Sequence, residues 1–167
     1  MSELSRIIDA RQLPAEPVEI KAGLEECAAL ARRFDLVRVK HLSTRITLTR
    51  DGPSVRAAGQ LNADVVQSCA ISAEDLAVRI HEPIALHFVP AQAAQAEEIE
   101  LDAEMLDEIE MDGQQFDLGE AVAQTLGLAI DPYREGPGAA EARRKLAEQE
   151  PSWPFAALKD LLGKGST

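Results

Sequence analysis

The chain has 167 residues, 46% hydrophobic and 28% charged, the proportions of a globular protein that can bury a core without disulfides or metals. It has no run near the roughly 18 apolar residues of a transmembrane helix, and MSELSRIIDARQLPAEP lacks the apolar core of a secretory signal, so no membrane is expected and the expected compartment is the cytoplasm. The formal net charge of −12 opposes general nucleic-acid binding, which needs a positive face to neutralise phosphates, and no DNA partner is expected.

Glu3–Val18 alternates weakly around Pro14 and Pro17 and reads as an edge strand or extended arm. Ile20–Phe34 is rich in helix formers, with Leu24, Cys27, Ala28, Ala31 and Phe34 at the spacing of a buried stripe. Cys27 in that stripe acts as a small hydrophobe. Leu36–Val89 reads as strands. Val37 and Val39 alternate with Arg38 and Lys40, and Leu42, Ile46 and Leu48 continue on the other parity, so a bulge is expected near His41. Asp51-Gly52-Pro53 is a hairpin turn into a return strand, Val55–Val66, where Gly59 suggests a kink or bulge. After a connection at Ser68–Asp75, Leu76, Val78, Ile80, Ile84, Leu86 and Phe88 share one parity, with Glu82 off pattern. His81 and His87 lie on the opposite parity with Arg79 and read as surface histidines.

Pro90–Glu98 looks like a loop, followed by the acidic stretch Ile99–Asp112. Asp117 is positioned as the N-cap of a helix to about Leu128, with Glu120 at the reciprocal position of a capping box. Pro132 stops that helix. Ala139–Glu150 is helix-prone. Residues 1–150 are read as one α+β domain and 151–167 as a C-terminal tail.

Charge is uneven along the chain. Arg32, Arg33, Arg38, Lys40, Arg45, Arg50 and Arg56 fall between residues 28 and 63, whereas Ile80–Tyr133 has no Lys or Arg. That second stretch holds Glu97, Glu98, Glu100, Glu104, Asp107 and Glu108. Mutual neutralisation or two solvated faces would explain this as well as function would, since exposed pairs contribute only about 0–1 kcal/mol each. No phosphate loop, GxSxG or HExxH occurs, and three scattered histidines with two separated cysteines do not make a metal site. No enzyme, metal or other cofactor is expected.

Three features recur in a telling order. They are Cys69-Ala70-Ile71-Ser72 at a strand end, Asp117-Leu118-Gly119-Glu120-Ala121-Val122 leading through Leu126-Gly127-Leu128-Ala129-Ile130 to Pro132, and Trp153-Pro154-Phe155-Ala156-Ala157-Leu158. In order and spacing they resemble the YceD family of bacterial large ribosomal RNA subunit accumulation proteins, over about Leu36–Leu162. Cys69, Asp117, Leu118, Pro132, Pro154 and Phe155 are the positions that match the family motifs. Many members carry C-x-x-C where this chain has Cys69 and Ser72. No cysteine follows Cys69, so a four-ligand metal site is not expected.

The expected fold is α+β: a twisted antiparallel sheet, a meander that could curl towards a barrel, packed against two or more helices. The resemblance implies a non-enzymatic role in large-subunit ribosomal RNA synthesis, processing or stability. Two mechanisms fit the charge map. The acids Glu97, Glu98, Glu100, Glu104, Asp107 and Glu108 would dock a basic ribosomal protein or assembly factor, which the net charge favours. Alternatively the bases Arg38, Lys40, Arg45 and Arg50 would contact ribosomal RNA directly. A small enzyme acting on RNA or nucleotides ranks last.

Overall fold

Val39, Leu42, Thr44, Ile46 and Leu48 are buried while Ser43, Arg45, Thr47 and Thr49 point outward, the two-residue period of a strand with one wet face. The computed structural model describes residues 2–91 and 107–149. In it these residues form β3 (Arg38–Asp51), paired antiparallel with β4 (Ser54–Ser68). The register shifts between Val39 and His41, so the expected bulge is present. Gly52 takes φ 60° in the two-residue turn that joins Asp51 to Ser54.

Gly59 is not a bulge, because the register runs through it unbroken, with Ile46 opposite Gly59. Its role is close approach. A Cβ there would lie 2.1 Å from the Arg45 carbonyl oxygen and 2.9 Å from the Ile46 Cα. β5 (Asp75–Pro90) follows β4 in the sheet, burying Val78, Ile80, Ile84, Leu86 and Phe88 and leaving Glu82 exposed. β2 (Val18–Lys21) pairs antiparallel with β3 on the other side.

The fifth strand, β6 (Asp107–Met111), was not anticipated within the acidic stretch. It pairs parallel with β5, Phe88 beside Ile109, so the sheet is mixed rather than wholly antiparallel. The chain between Pro90 and Asp107 is long enough for the crossover that parallel pairing requires. The order β2-β3-β4-β5-β6 is open at both edges, so the sheet does not close into a barrel.

α1 (Leu24–Arg33) packs on β3. Its buried residues are Cys27, Leu30 and Ala31, whereas Leu24 is 91% exposed. The stripe is therefore turned slightly from the expected one: Leu24 lies in the first turn, outside the covered surface. A second, two-stranded sheet pairs β1 (Ile7–Asp9) with β7 (Gln115–Asp117). β7 runs directly into α2 (Leu118–Ala129), which buries Leu118, Val122, Ala123 and Leu126. Gly119 in α2 lets the N-terminal arm cross closely, since a Cβ would meet the Leu4 carbonyl oxygen at 2.5 Å. Leu4 is fully buried there.

The chain clusters into two units. One comprises residues 1–67 and 77–131; the other comprises residues 68–76 and 132 onward, and its described part contains α3 (Ala139–Glu148). The expected tail, 151–167, lies outside the described residues.

Candidate functional site

The sheet of the larger unit exposes one polar face, and alternation decides which side chains reach it. Lys21 of β2 pairs with Ser43, Glu19 with Arg45, Ser43 with Asn62, Arg45 with Gln60 and Arg38 with Val66. Arg79 and His81 join this face from β5, Arg79 at 3.3 Å from Asp64 and His81 hydrogen-bonded to Asn62. Arg56 of β4, opposite outward Thr49, lies on the same face, as do Asp51 and Glu108 beside His87. Six bases, Lys21, Arg38, Lys40, Arg45, Arg56 and Arg79, thus share the face with the acids Glu19, Asp51, Asp64 and Glu108. Lys40 and Arg79 line a shallow depression of about 410 Å³, and Lys21 and Arg45 line one of about 170 Å³. Lys21, Arg38 and Lys40 form no ion pair among the described residues, and Arg45 is 3.9 Å from Glu19.

Arg50 does not belong to this surface. It pairs with buried Val55, and its guanidinium donates to the Ala10 carbonyl oxygen. Its charge holds the N-terminal segment instead. Lys21 and Arg79 complete the face although sequence reasoning did not assign them to it. The parity of β5 pointed to Arg79; nothing local to Lys21 announced its partner strand.

Of the acidic residues, Glu97, Glu98, Glu100 and Glu104 lie outside the described residues. Asp107 and Glu108 are exposed on β6, with Glu110 and Asp112 nearby. Glu108 lies 3.8 Å from His87 Nδ1, and Asp51 lies 3.7 Å from its Nε2. His87 is more enclosed than a surface histidine, with its side chain 19% exposed.

Asp117 does cap α2, accepting the Glu120 N–H at 3.1 Å. It also accepts the Arg6 N–H at 2.7 Å and the Ser5 hydroxyl at 2.8 Å. Glu120 turns away from the capping-box position to Arg33, at 2.7 Å and 3.0 Å, and accepts the Ser2 hydroxyl. A guanidinium bonded to two oxygens outcompetes a single backbone N–H. The bond to Arg33 holds the Glu120 carboxyl down at about 2. The N-terminal arm is thereby stitched to the start of α2.

In the smaller unit, Cys69 is buried. Its Sγ accepts the Ser72 N–H at 3.4 Å and the Gly136 N–H at 3.3 Å. The Ser72 hydroxyl, the Gly136 N–H and the Ser72 N–H together pull the thiol down to about 7. Cys27, by contrast, is pushed up by burial. Among the described residues, no three His, Cys, Asp or Glu side chains gather within reach of one metal ion, and no helix is long and apolar enough to cross a membrane.

A sequence model of the family described as large ribosomal RNA subunit accumulation protein YceD matches residues 57–162, well over half of the chain. The chain belongs to the YceD family. No match is found among curated proteins or among solved structures. The YceD match spans β4, β5, β6, β7, α2 and α3. Within it, Asp117 and Leu118 are a cap and a fully buried anchor. Gly119 and Gly127 mark two close approaches to α2, by Leu4 and by the Phe34 ring. Pro132 is exposed just beyond α2, while Pro154 and Phe155 lie outside the described residues. The family name connects the chain with accumulation of large-subunit ribosomal RNA.

Proposed function

We propose that this YceD protein supports accumulation of large-subunit ribosomal RNA without catalysis, by contacting that RNA through the exposed face of its five-stranded sheet. The observation that carries this reading is the convergence of Lys21, Arg38, Lys40, Arg45 and Arg79 from three strands onto one uncovered surface. These bases would neutralise phosphates, Lys21, Arg38 and Lys40 having no ion pair among the described residues, and Ser43, Gln60 and Asn62 would offer hydrogen bonds to sugar or phosphate oxygens. The strand face carries no aromatic residue among those described, so base stacking is absent and contact would follow the backbone or a duplex surface.

The test is filter binding of the purified chain to large-subunit ribosomal RNA fragments across a salt series. Each phosphate contact adds about −0.7 to −0.9 to the slope of log K against log salt. Lys40→Glu with Arg45→Glu should flatten the slope by about two such contacts and weaken binding throughout. An unchanged slope would reject the surface.

A second reading is supported by a separate observation. Asp107, Glu110 and Asp112 form no ion pair among the described residues, so an acidic edge is available to a basic ribosomal protein or assembly factor. Recovery of such a protein with the tagged chain after ribonuclease treatment would support it; loss on digestion would reject it.

A further inference from the structure

The edge of β6 carries more than charge. Asp112 pairs with Gln115 in a single antiparallel bridge, a tight turn that leads from β6 into β7. The two strands then part, because β7 pairs with β1 instead. The outer edge of β6 is therefore left without a strand partner among the described residues. Where the strands diverge lies a groove of about 330 Å³, with apolar surface from Ile7, Ile109, Phe116 and Ala121. Ile7 is 58% exposed there.

The rim of that groove is acidic. Glu110, Asp112, Asp117 and Glu120 line it, and no Lys, Arg or His does. Asp117 and Glu120 are engaged by the N-terminal arm and Arg33, which leaves Glu110 and Asp112 as the available charges. An open strand edge, an apolar floor and a one-sign rim together specify an occupant: main chain for the edge, one apolar side chain for the floor, and cationic side chains for the rim.

We propose that this groove docks an extended, Lys- or Arg-bearing segment of a protein partner, which pairs with the outer edge of β6 and seats one apolar side chain between Ile109 and Phe116. An added strand draws affinity from the main chain and selectivity from alternate side chains. Acids on the rim would select a basic sequence and speed its arrival. This inference rests on the second reading above, the basic protein partner, and is independent of the RNA contact.

The test uses the full chain and a fluorescein-labelled peptide in which Lys or Arg alternates with Val or Leu. Two control peptides carry Ser at the apolar positions or Glu at the basic ones. The basic apolar peptide should bind, with amide exchange slowed at residues 107–111. Both controls should bind weaker by on the order of tenfold or more. Glu110→Lys with Asp112→Lys should weaken the peptide to a similar degree while RNA binding stays or strengthens; Glu110→Gln with Asp112→Asn covers the case in which reversal impairs folding. Equal binding of the Ser peptide would reduce the site to charge alone and overturn the proposal. So would unchanged affinity in the folded variants, or an unperturbed peptide signal accompanied by a concentration-dependent doubling of mass that the variants abolish, which would assign the groove to a second copy. A loss of RNA binding in the sheet-face variants with peptide binding intact would separate the two surfaces.

Discussion

Phe88 of β5 and Phe116 of β7 stack with ring centroids 4.2 Å apart and planes inclined by 23°. The pair joins the five-stranded sheet to the small β1–β7 sheet, and both rings are buried. A stacked pair adds about 0.5–1.5 kcal/mol to the burial of its rings.

Phe88→Ala should therefore cost about 3–5 kcal/mol by denaturant unfolding. His87→Ala, next along the strand on the other face, removes a smaller, partly exposed ring whose carboxylate neighbours stand off at 3.7 Å and 3.8 Å, and should cost far less. Equal costs would contradict the inward placement of Phe88.

Gly59→Ala should destabilise by about 2–4 kcal/mol, because a Cβ there meets backbone atoms that cannot step aside. Gly52→Ala meets open space and bears only the strain of a positive φ, about 1–2 kcal/mol. The ranking of the two melting shifts checks the close approach of β3 and β4.

Glu120 gives the fold a pH dependence. Its folded carboxyl is held down to about 2 against an ordinary value of 4.5, so the native state favours the charged form. Its contribution is complete above the ordinary carboxylate range and is lost as pH falls from about 5 towards 2. Arg33 stays charged throughout. Glu120→Gln should lower stability at pH 7 by about 1–3 kcal/mol and flatten the acid limb by the same amount. Parallel pH–stability curves for the two proteins would contradict the Arg33–Glu120 pair.

Cys69 should titrate apart from Cys27. In a Cys27→Ala variant, the ultraviolet absorbance of the thiolate should rise with a midpoint near 7. In Cys69→Ala, the remaining thiol should rise only well above that. A single alkaline midpoint in both would show that the N–H groups of Ser72 and Gly136 do not hold Cys69.

Loss of the protein should lower large-subunit relative to small-subunit ribosomal RNA. Complementation with Lys40→Glu and Arg45→Glu should fail if the sheet face carries the function. Full restoration of the ratio by that variant would move the function elsewhere, with the β6 groove as the next surface to test.

Much of the strand framework was legible in the sequence because burial on one face imposes a two-residue period that local residues reveal. The parity break at His41, the Asp51-Gly52-Pro53 turn, the inward series ending at Phe88 and the Asp117 cap are all local signals, and each appears in the fold. The parallel pairing of β6, the crossing of Leu4 over Gly119, the diversion of Glu120 to Arg33 and the convergence of Lys21 with Arg45 and Arg79 are not local. They depend on which distant segments meet, and neither spacing nor composition encodes that for a single chain. Alternation tells which residues of a strand face water, but strand order tells which bases become neighbours. A chain of net charge −12 can thus bring Lys21, Lys40, Arg45 and Arg79 to one sheet face, because strand order makes neighbours of residues far apart in sequence.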